Sequence, residues 1–251
     1  MGKIEKHKQR RFGLIGRNIS YSFSSGYFTQ KFEQLNLLNH SYENFDLKHI
    51  SEVKHIIAQK DIVGLNVTIP YKEAIIPFLD QLDVDAEAIG AVNTIKFTQD
   101  GLIGYNTDAY GFKTTLSPLL KKNHKKALIL GTGGASKAIA FVLKELSIEH
   151  QYVSRNPTQN QLNYTDLNEM HYQEFQLFIN CSPVGTHPNI HEKPQIPYQF
   201  FNKSHILFDL IYNPTETTFL SEGKKRGATI QNGLSMLQHQ AEKAWDIWNA
   251  D

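Results

Sequence analysis

One cysteine, Cys181, in 251 residues leaves no intramolecular disulfide to staple the chain, which suits a reducing cytoplasm. Long apolar runs are also missing: none approaches the roughly 18 residues that suggest a membrane-crossing helix. Charge of one sign is not in excess, since 26 Lys and Arg face 25 Asp and Glu for a net charge of +1. That balance offers no broad field for nucleic acid or an anionic membrane, so any anionic ligand must be held by a local site. Repeats and low-complexity segments are absent. The 11 histidines are scattered, and His187 and His191 straddle Pro188 without a clear third ligand, so no metal site is expected. The basic segment over residues 3–11 reads as a solvated leader. A cytoplasmic protein with a small-molecule ligand, as a monomer or homodimer, is the expectation.

What is present is 40% hydrophobic and 20% charged sequence, an ordinary globular composition able to build one large or two modest cores. From Phe12 to about Leu120, short apolar runs alternate with helical ones: RFGLIG, a helix near 27–35, HSYENFDL and a helix near 50–59. DIVGLNVTIP predicts a strand ending at Pro70, which suits the first turn of a helix through YKEAIIPFLDQL. AVNTIKF and LIGYN predict further strands. A second series begins with KKALIL, then the glycine-rich GTGGAS and the amphipathic KAIAFVLKEL; HQYVSRN, FQLFINCSP and HILFDLIYNP continue it, with TFLSEGKKRG as an exposed helix. The last segment carries Leu234, Leu237, Ala241, Ala244, Trp245 and Trp248 at helical spacing. The pattern predicts a two-domain α/β protein: an N-terminal α/β domain, a Rossmann-like domain, and a C-terminal helix that returns to the first. The expected boundaries are 1–107 with 233–251, and 108–232.

Glycines between a strand and a helix let the chain turn tightly and bring backbone N–H groups close to a pyrophosphate at the helix N-terminus. Gly131, Thr132, Gly133, Gly134 and Ala135 occupy that place, with Ser136 where the common fingerprint has its third glycine. About twenty residues on, where an NAD site offers a carboxylate to the ribose, the chain reads Ser154, Arg155, Asn156. A guanidinium there can clasp a 2′-phosphate that a carboxylate would repel, so NADP is preferred over NAD. The competing explanation is a solvated surface arginine.

Polar side chains also gather at strand ends in the first domain: Ser22 and Ser24 in ISYSFSS, Asn66, Thr68 and Lys72 in GLNVTIPYK, Asn93 in AIGAVNT, and Asp108 in GYNTDAYGF. Singly each has a structural explanation, as a helix cap, a turn residue or a solvated lysine. As a set they resemble the shikimate dehydrogenases. GLNVTIPYK resembles the family's G-x-N-V-T-x-P-x-K signature, AIGAVNTI its A-x-G-A-V-N-T, GYNTD its G-x-N-T-D and GTGGASKA its cofactor turn. FDLIYNPTETTFL is similar to D-x-x-Y-x-P-x-x-T-x-F-L, and QNGLSMLQHQA to N-G-x-x-M-L-x-x-Q-A. The matches run in family order from about residue 13 to 241. Departures are Ser25 where S-x-S-P has proline, Tyr27, Phe28 and Thr29 where M-H-N follows, and Ala109 in place of the glycine of N-T-D-G.

The resemblance implies NADPH-dependent reduction of 3-dehydroshikimate to shikimate, with a substrate-binding catalytic domain followed by an NADP-binding one. By position it implies Lys72 and Asp108 as catalytic groups and Ser22, Ser24, Thr68, Asn93, Tyr212 and Gln240 as substrate contacts. Gly131 to Ala135, Ser154, Arg155, Asn156, Leu210 and Gly233 are the implied NADP positions. Hydride reduction of a ketone needs a proton donor at the developing oxyanion. A lysine in the first turn after Pro70 would face the positive end of a helix dipole, which disfavours its charged form. Whether Lys72 alone or the Lys72/Asp108 pair gives the proton is open at this level. Ser22 and Ser24, alternating on an extended segment, would share a face and donate to a carboxylate. Alternatives are a quinate/shikimate dehydrogenase of relaxed specificity, another two-domain enzyme such as a methylenetetrahydrofolate dehydrogenase, and a non-catalytic dinucleotide-binding module. Retention of both Lys72 and Asp108 argues against the module.

Overall fold

The computed structural model describes residues 9–19 and 22–250, so most of the basic leader lies outside the described residues. The chain divides into two compact units, one of the described residues through Thr107 and from Ala241 onward, the other of Asp108–Gln240. No helix among the described residues is long and apolar enough to cross a membrane.

The first unit is built on strands β1 (Arg10–Gly16), β2 (His40–Asp46), β3 (Ile62–Val67), β4 (Gln81–Leu82), β5 (Thr94–Thr98) and β6 (Gly101–Tyr105), in the order β2-β1-β3-β5-β6-β4. β1 runs parallel to β2 and β3, β5 antiparallel to β3 and β6, and β4 parallel to β6. Helices α1 (Phe23–Gln34), α2 (Val53–Ile57) and α3 (Val84–Ile89) connect them. Side chains of β1 alternate between two cores, Phe12 and Leu14 in one and Ile15 in the other, which is why RFGLIG reads as a continuous apolar run.

The helix expected after Pro70 is absent. Residues 72–75 form turns, followed by a 3-10 turn at Ile76–Phe78. Two features stop it. Pro77 has no N–H to give and its ring would meet the carbonyl four residues back. The Lys72 carbonyl accepts from Val92 N at 2.7 Å instead of from a helical neighbour. The dipole argument for Lys72 therefore has no helix to rest on.

The second unit holds β7 (Lys126–Leu130), β8 (Glu149–Ser154), β9 (Leu162–Asn163), β10 (Leu177–Asn180), β11 (Ile206–Asp209) and β12 (Thr229–Gln231). All pairings are parallel, in the order β12-β11-β10-β7-β8-β9. Counted within the unit this is 6-5-4-1-2-3, the Rossmann-like order, whose switch point lies between β7 and β10. Its helices are α4 (Thr107–Leu116), which begins at the last residue of the first unit, α5 (Gly134–Glu145), α6 (Glu169–Glu174), α7 (Thr218–Lys225) and α8 (Leu234–Asn249). α7 is not the exposed helix expected, since Phe219 and Leu220 are buried in the core and only its lysine face meets solvent.

α8 starts in the second unit and ends in the first. There Trp248 packs against Phe12 and Phe28, with ring centroids 4.9 and 5.2 Å away, and its indole N–H donates to the Ile95 carbonyl at 3.0 Å. The indole lies directly over Gly64 of β3: an added Cβ would sit 2.5 Å from two of its ring atoms. Gly64→Ala should therefore destabilise the protein by about 1–3 kcal/mol through overpacking. The smaller ring of Trp248→Phe in the same chain should recover part of that loss, so that the two substitutions are non-additive in denaturant melts.

Candidate active site

In the first unit the polar strand ends form one buried network. Asn66 at the end of β3 accepts from the Tyr42 hydroxyl at 2.8 Å and donates to Thr94 Oγ1 at 3.1 Å. Asn93 Oδ1 accepts from Thr107 N at 2.7 Å, and its amide donates to Thr107 Oγ1 at 3.0 Å. In return Asn106 donates to the Ala91 carbonyl at 2.9 Å. The AVNT and GYNTD peptides are thus clasped to each other by two asparagines. Val67 N bonds the Asn93 carbonyl and Val92 N bonds the Lys72 carbonyl, both within 2.8 Å, so half-buried Lys72 and Thr68 are held to the same peptide.

Ser22 and Ser24 are not on an extended segment. Ser22 is the N-cap of α1 and accepts from Ser24 N at 3.1 Å, while Ser24 lies in the first turn. The Ser22 oxygen is used as an acceptor, so its own proton remains to donate. Burial pushes the Tyr42 phenol up, and the Ser24 hydroxyl that hydrogen-bonds it opposes this. Ser24, Tyr42 and Asn66 thus form one chain of polar groups.

In the second unit Asp108 lies inside the first turn of α4, buried. One turn on, α4 meets α8 so closely that a Cβ on Gly111 would lie 2.5 Å from the Met236 carbonyl and 3.2 Å from Gln240 Cβ. Asp108 and Gly111, three residues apart, share that face of the helix. Gln240 is buried there and donates to the Leu237 carbonyl at 2.9 Å. Half-buried Tyr212 lies between β11 and α7.

The glycine turn joins β7 to α5. Gly131 has φ of +105°, a backbone region that favours glycine, and its N–H closes on the Val153 carbonyl at 2.9 Å. Gly133 is the exposed N-cap of α5, whose first turn carries no acidic residue. Ser136 is buried and donates to the Gly133 carbonyl at 2.7 Å, which fills the place of a third glycine with a bond to the turn. At the end of β8, Ser154 Oγ accepts from Asn156 N at 3.2 Å. Arg155 between them is exposed, beside the phenol of Tyr164. A Cβ on Gly233 would lie 2.1 Å from the Leu210 carbonyl, so these two cofactor candidates are in backbone contact.

A family model described as the shikimate dehydrogenase substrate binding domain matches residues 14–95. The shikimate dehydrogenase (NADP(+)) of Methanococcus maripaludis is 38% identical over 96% of this chain and 91% of its own. The chain belongs to the shikimate dehydrogenase family. The Clostridium botulinum member is also 38% identical, over 94% of this chain and 95% of its own. The crystal structure of the Thermus thermophilus family member in complex with NADP(H) and shikimate superposes with a TM-score of 0.84, at 31% identity over 96% of this chain and 94% of that one.

One family segment holds a feature that motif spacing did not reveal. In FDLIYNPTETTFL, Asp209 ends β11 fully buried, with no ion-pair partner among the described residues. Its Oδ1 accepts from Asn180 Nδ2 at 3.0 Å and Ile211 N at 3.1 Å, and its Oδ2 from Thr217 Oγ1 at 2.6 Å. Burial pushes its carboxyl up to about 6, against the pull of these three donors. The folded chain thus holds a proton that the unfolded chain has released between about 3.8 and 6, and the stability this gives is lost as pH rises through about 6. Relative to Asp209→Asn, the wild-type unfolding free energy should fall by roughly 2 kcal/mol between pH 4 and pH 7. Urea melts at a series of pH values check this; a constant difference would contradict it.

Proposed function

We propose that the chain is an NADP-dependent dehydrogenase that reduces 3-dehydroshikimate reversibly to shikimate, the first unit supplying the proton donor and most of the substrate contacts and the second the cofactor positions. The observation that carries this reading is the joining, in one chain, of a glycine turn with Arg155 rather than an acid just past the end of β8, and the clasped polar network that holds Lys72. A cytoplasmic setting belongs to the same reading and is supported by the single cysteine.

When bound, NADPH would supply the hydride. Gly131 to Ala135 would hold its pyrophosphate on the N–H groups of the turn and of α5, and Arg155 its 2′-phosphate, with Ser154 and Asn156 shaping that bend. Leu210 and Gly233 complete the proposed cofactor positions. As charge develops on the ketone oxygen, the Lys72 ammonium supplies the proton, and the Asp108 carboxylate is assigned to accept from a substrate hydroxyl. Ser22 and Ser24 are assigned to the substrate carboxylate; Thr68, Asn93, Tyr212 and Gln240 are assigned to the ring hydroxyls.

Purified protein should oxidise NADPH robustly with 3-dehydroshikimate and little with 3-dehydroquinate; equal efficiency on both would sink the assignment of substrate. Lys72→Ala should lower kcat by about 10²- to 10⁴-fold with cofactor binding largely intact. Arg155→Ala should weaken NADPH by roughly 10- to 150-fold, towards the lower figure given its exposure, and NADH far less. Equal weakening of both cofactors would show that Arg155 serves only the shape of its loop.

A further inference from the structure

Asn180 and Asp209 are register partners on adjacent parallel strands, so their side chains leave the sheet on the same face at its C-terminal edge. Both are fully buried, as is Thr217. From this pair the hydrogen bonds run outward into two loops. Asn180 Oδ1 accepts from Ser182 N at 3.1 Å and Ser182 Oγ at 2.6 Å, which sets the loop after β10. Asp209 takes the Ile211 N–H at one end of the loop after β11 and the Thr217 hydroxyl at the other, and Thr217 in turn caps α7 through Leu220 N at 3.3 Å.

Each loop touches a cofactor candidate. Ser182 N lies 3.2 Å from where a Gly131 Cβ would be, and the Leu210 carbonyl lies against Gly233. In an open parallel sheet, the ligand sits outside the carboxyl ends of the strands at the switch point, where the loop after β10 emerges with the loop after β11 beside it. A buried carboxylate with no cation beside it costs stability at neutral pH that an amide would not. Its presence therefore calls for a different use. An amide could keep the Asn180 and Ile211 bonds through its oxygen, but its NH₂ could not accept the Thr217 proton.

We infer that Asp209 is a positioning residue, whose carboxylate, acting through Asn180 and Thr217, fixes the two loops that seat the dinucleotide. The inference rests on the NADP-binding role proposed for the second unit. Fluorescence titration of the full chain with NADPH tests it. Asp209→Asn should raise the Kd about 10-fold, with KM for NADPH rising in parallel and a melting temperature at pH 7.5 no lower than wild type. Thr217→Val should reproduce the loss of affinity, and Thr217→Ser, which keeps the hydroxyl, should restore it. A purely structural role would instead lower the melting temperature of Asp209→Asn and leave the Kd of the folded protein unchanged. Wild-type Kd in both Asp209→Asn and Thr217→Val overturns the inference, and the Thr217 pair decides alone if Asp209→Asn does not fold. Wild-type protein that binds NADPH without oxidising it in the presence of 3-dehydroshikimate overturns the proposed reaction and leaves the Kd comparison to decide the positioning. Protein that binds no NADPH overturns both.

Discussion

The bond from Thr107 N–H to the Asn93 carboxamide, 2.7 Å long and fully buried, is the constraint on which the first unit's chemistry depends. It ties the start of α4, just past the end of β6 at Tyr105, to the residue that immediately precedes β5 at Thr94. The next residue, Asp108, opens the second unit. The AVNT peptide accepts Val67 N and holds Lys72 through Val92. Neutral amides suit this task because each donates and accepts, and a closed ring of such bonds leaves few buried groups unsatisfied.

The second unit solves a comparable problem with charge. Loops that leave the carboxyl ends of β10 and β11 have no ladder partner beyond the strand ends, and they are held by one buried carboxylate and its three donors. The energetic consequence differs between the units: the amide network is neutral to pH, whereas Asp209 makes the second unit less stable as it ionises.

The parts of this architecture legible in the sequence are those with a short-range signature. Gly131, Gly133 and Gly134 between an apolar strand and an amphipathic helix announce their turn, and the stripe through Trp245 and Trp248 announces α8. Where the fold departs from the sequence pattern, local competition is the cause. Pro77 and the long-range bond of the Lys72 carbonyl break the helix expected after Pro70, and Ser22 caps a helix that begins at Phe23, so Ser24 cannot continue a strand. Two-residue strands such as β4 and β9 carry too little pattern to be seen. Asn106, Thr107, Asn180, Asp209 and Thr217 look like ordinary surface residues in sequence; only the register of distant strands buries them, the first two in one unit and the last three in the other.

The proposed division of labour assigns the substrate carboxylate and the proton donor to the first unit and the cofactor groups to the second, with Asp108, Tyr212 and Gln240 of the second unit also assigned to substrate. Amide hydrogen exchange with each ligand added alone tests it most directly. Shikimate should slow exchange in peptides covering residues 22–24, 66–72 and 91–94, and NADP⁺ in those covering 131–136, 154–156 and 182–184. Protection of the same peptides by both ligands, or of the first set by NADP⁺ alone, would contradict that division.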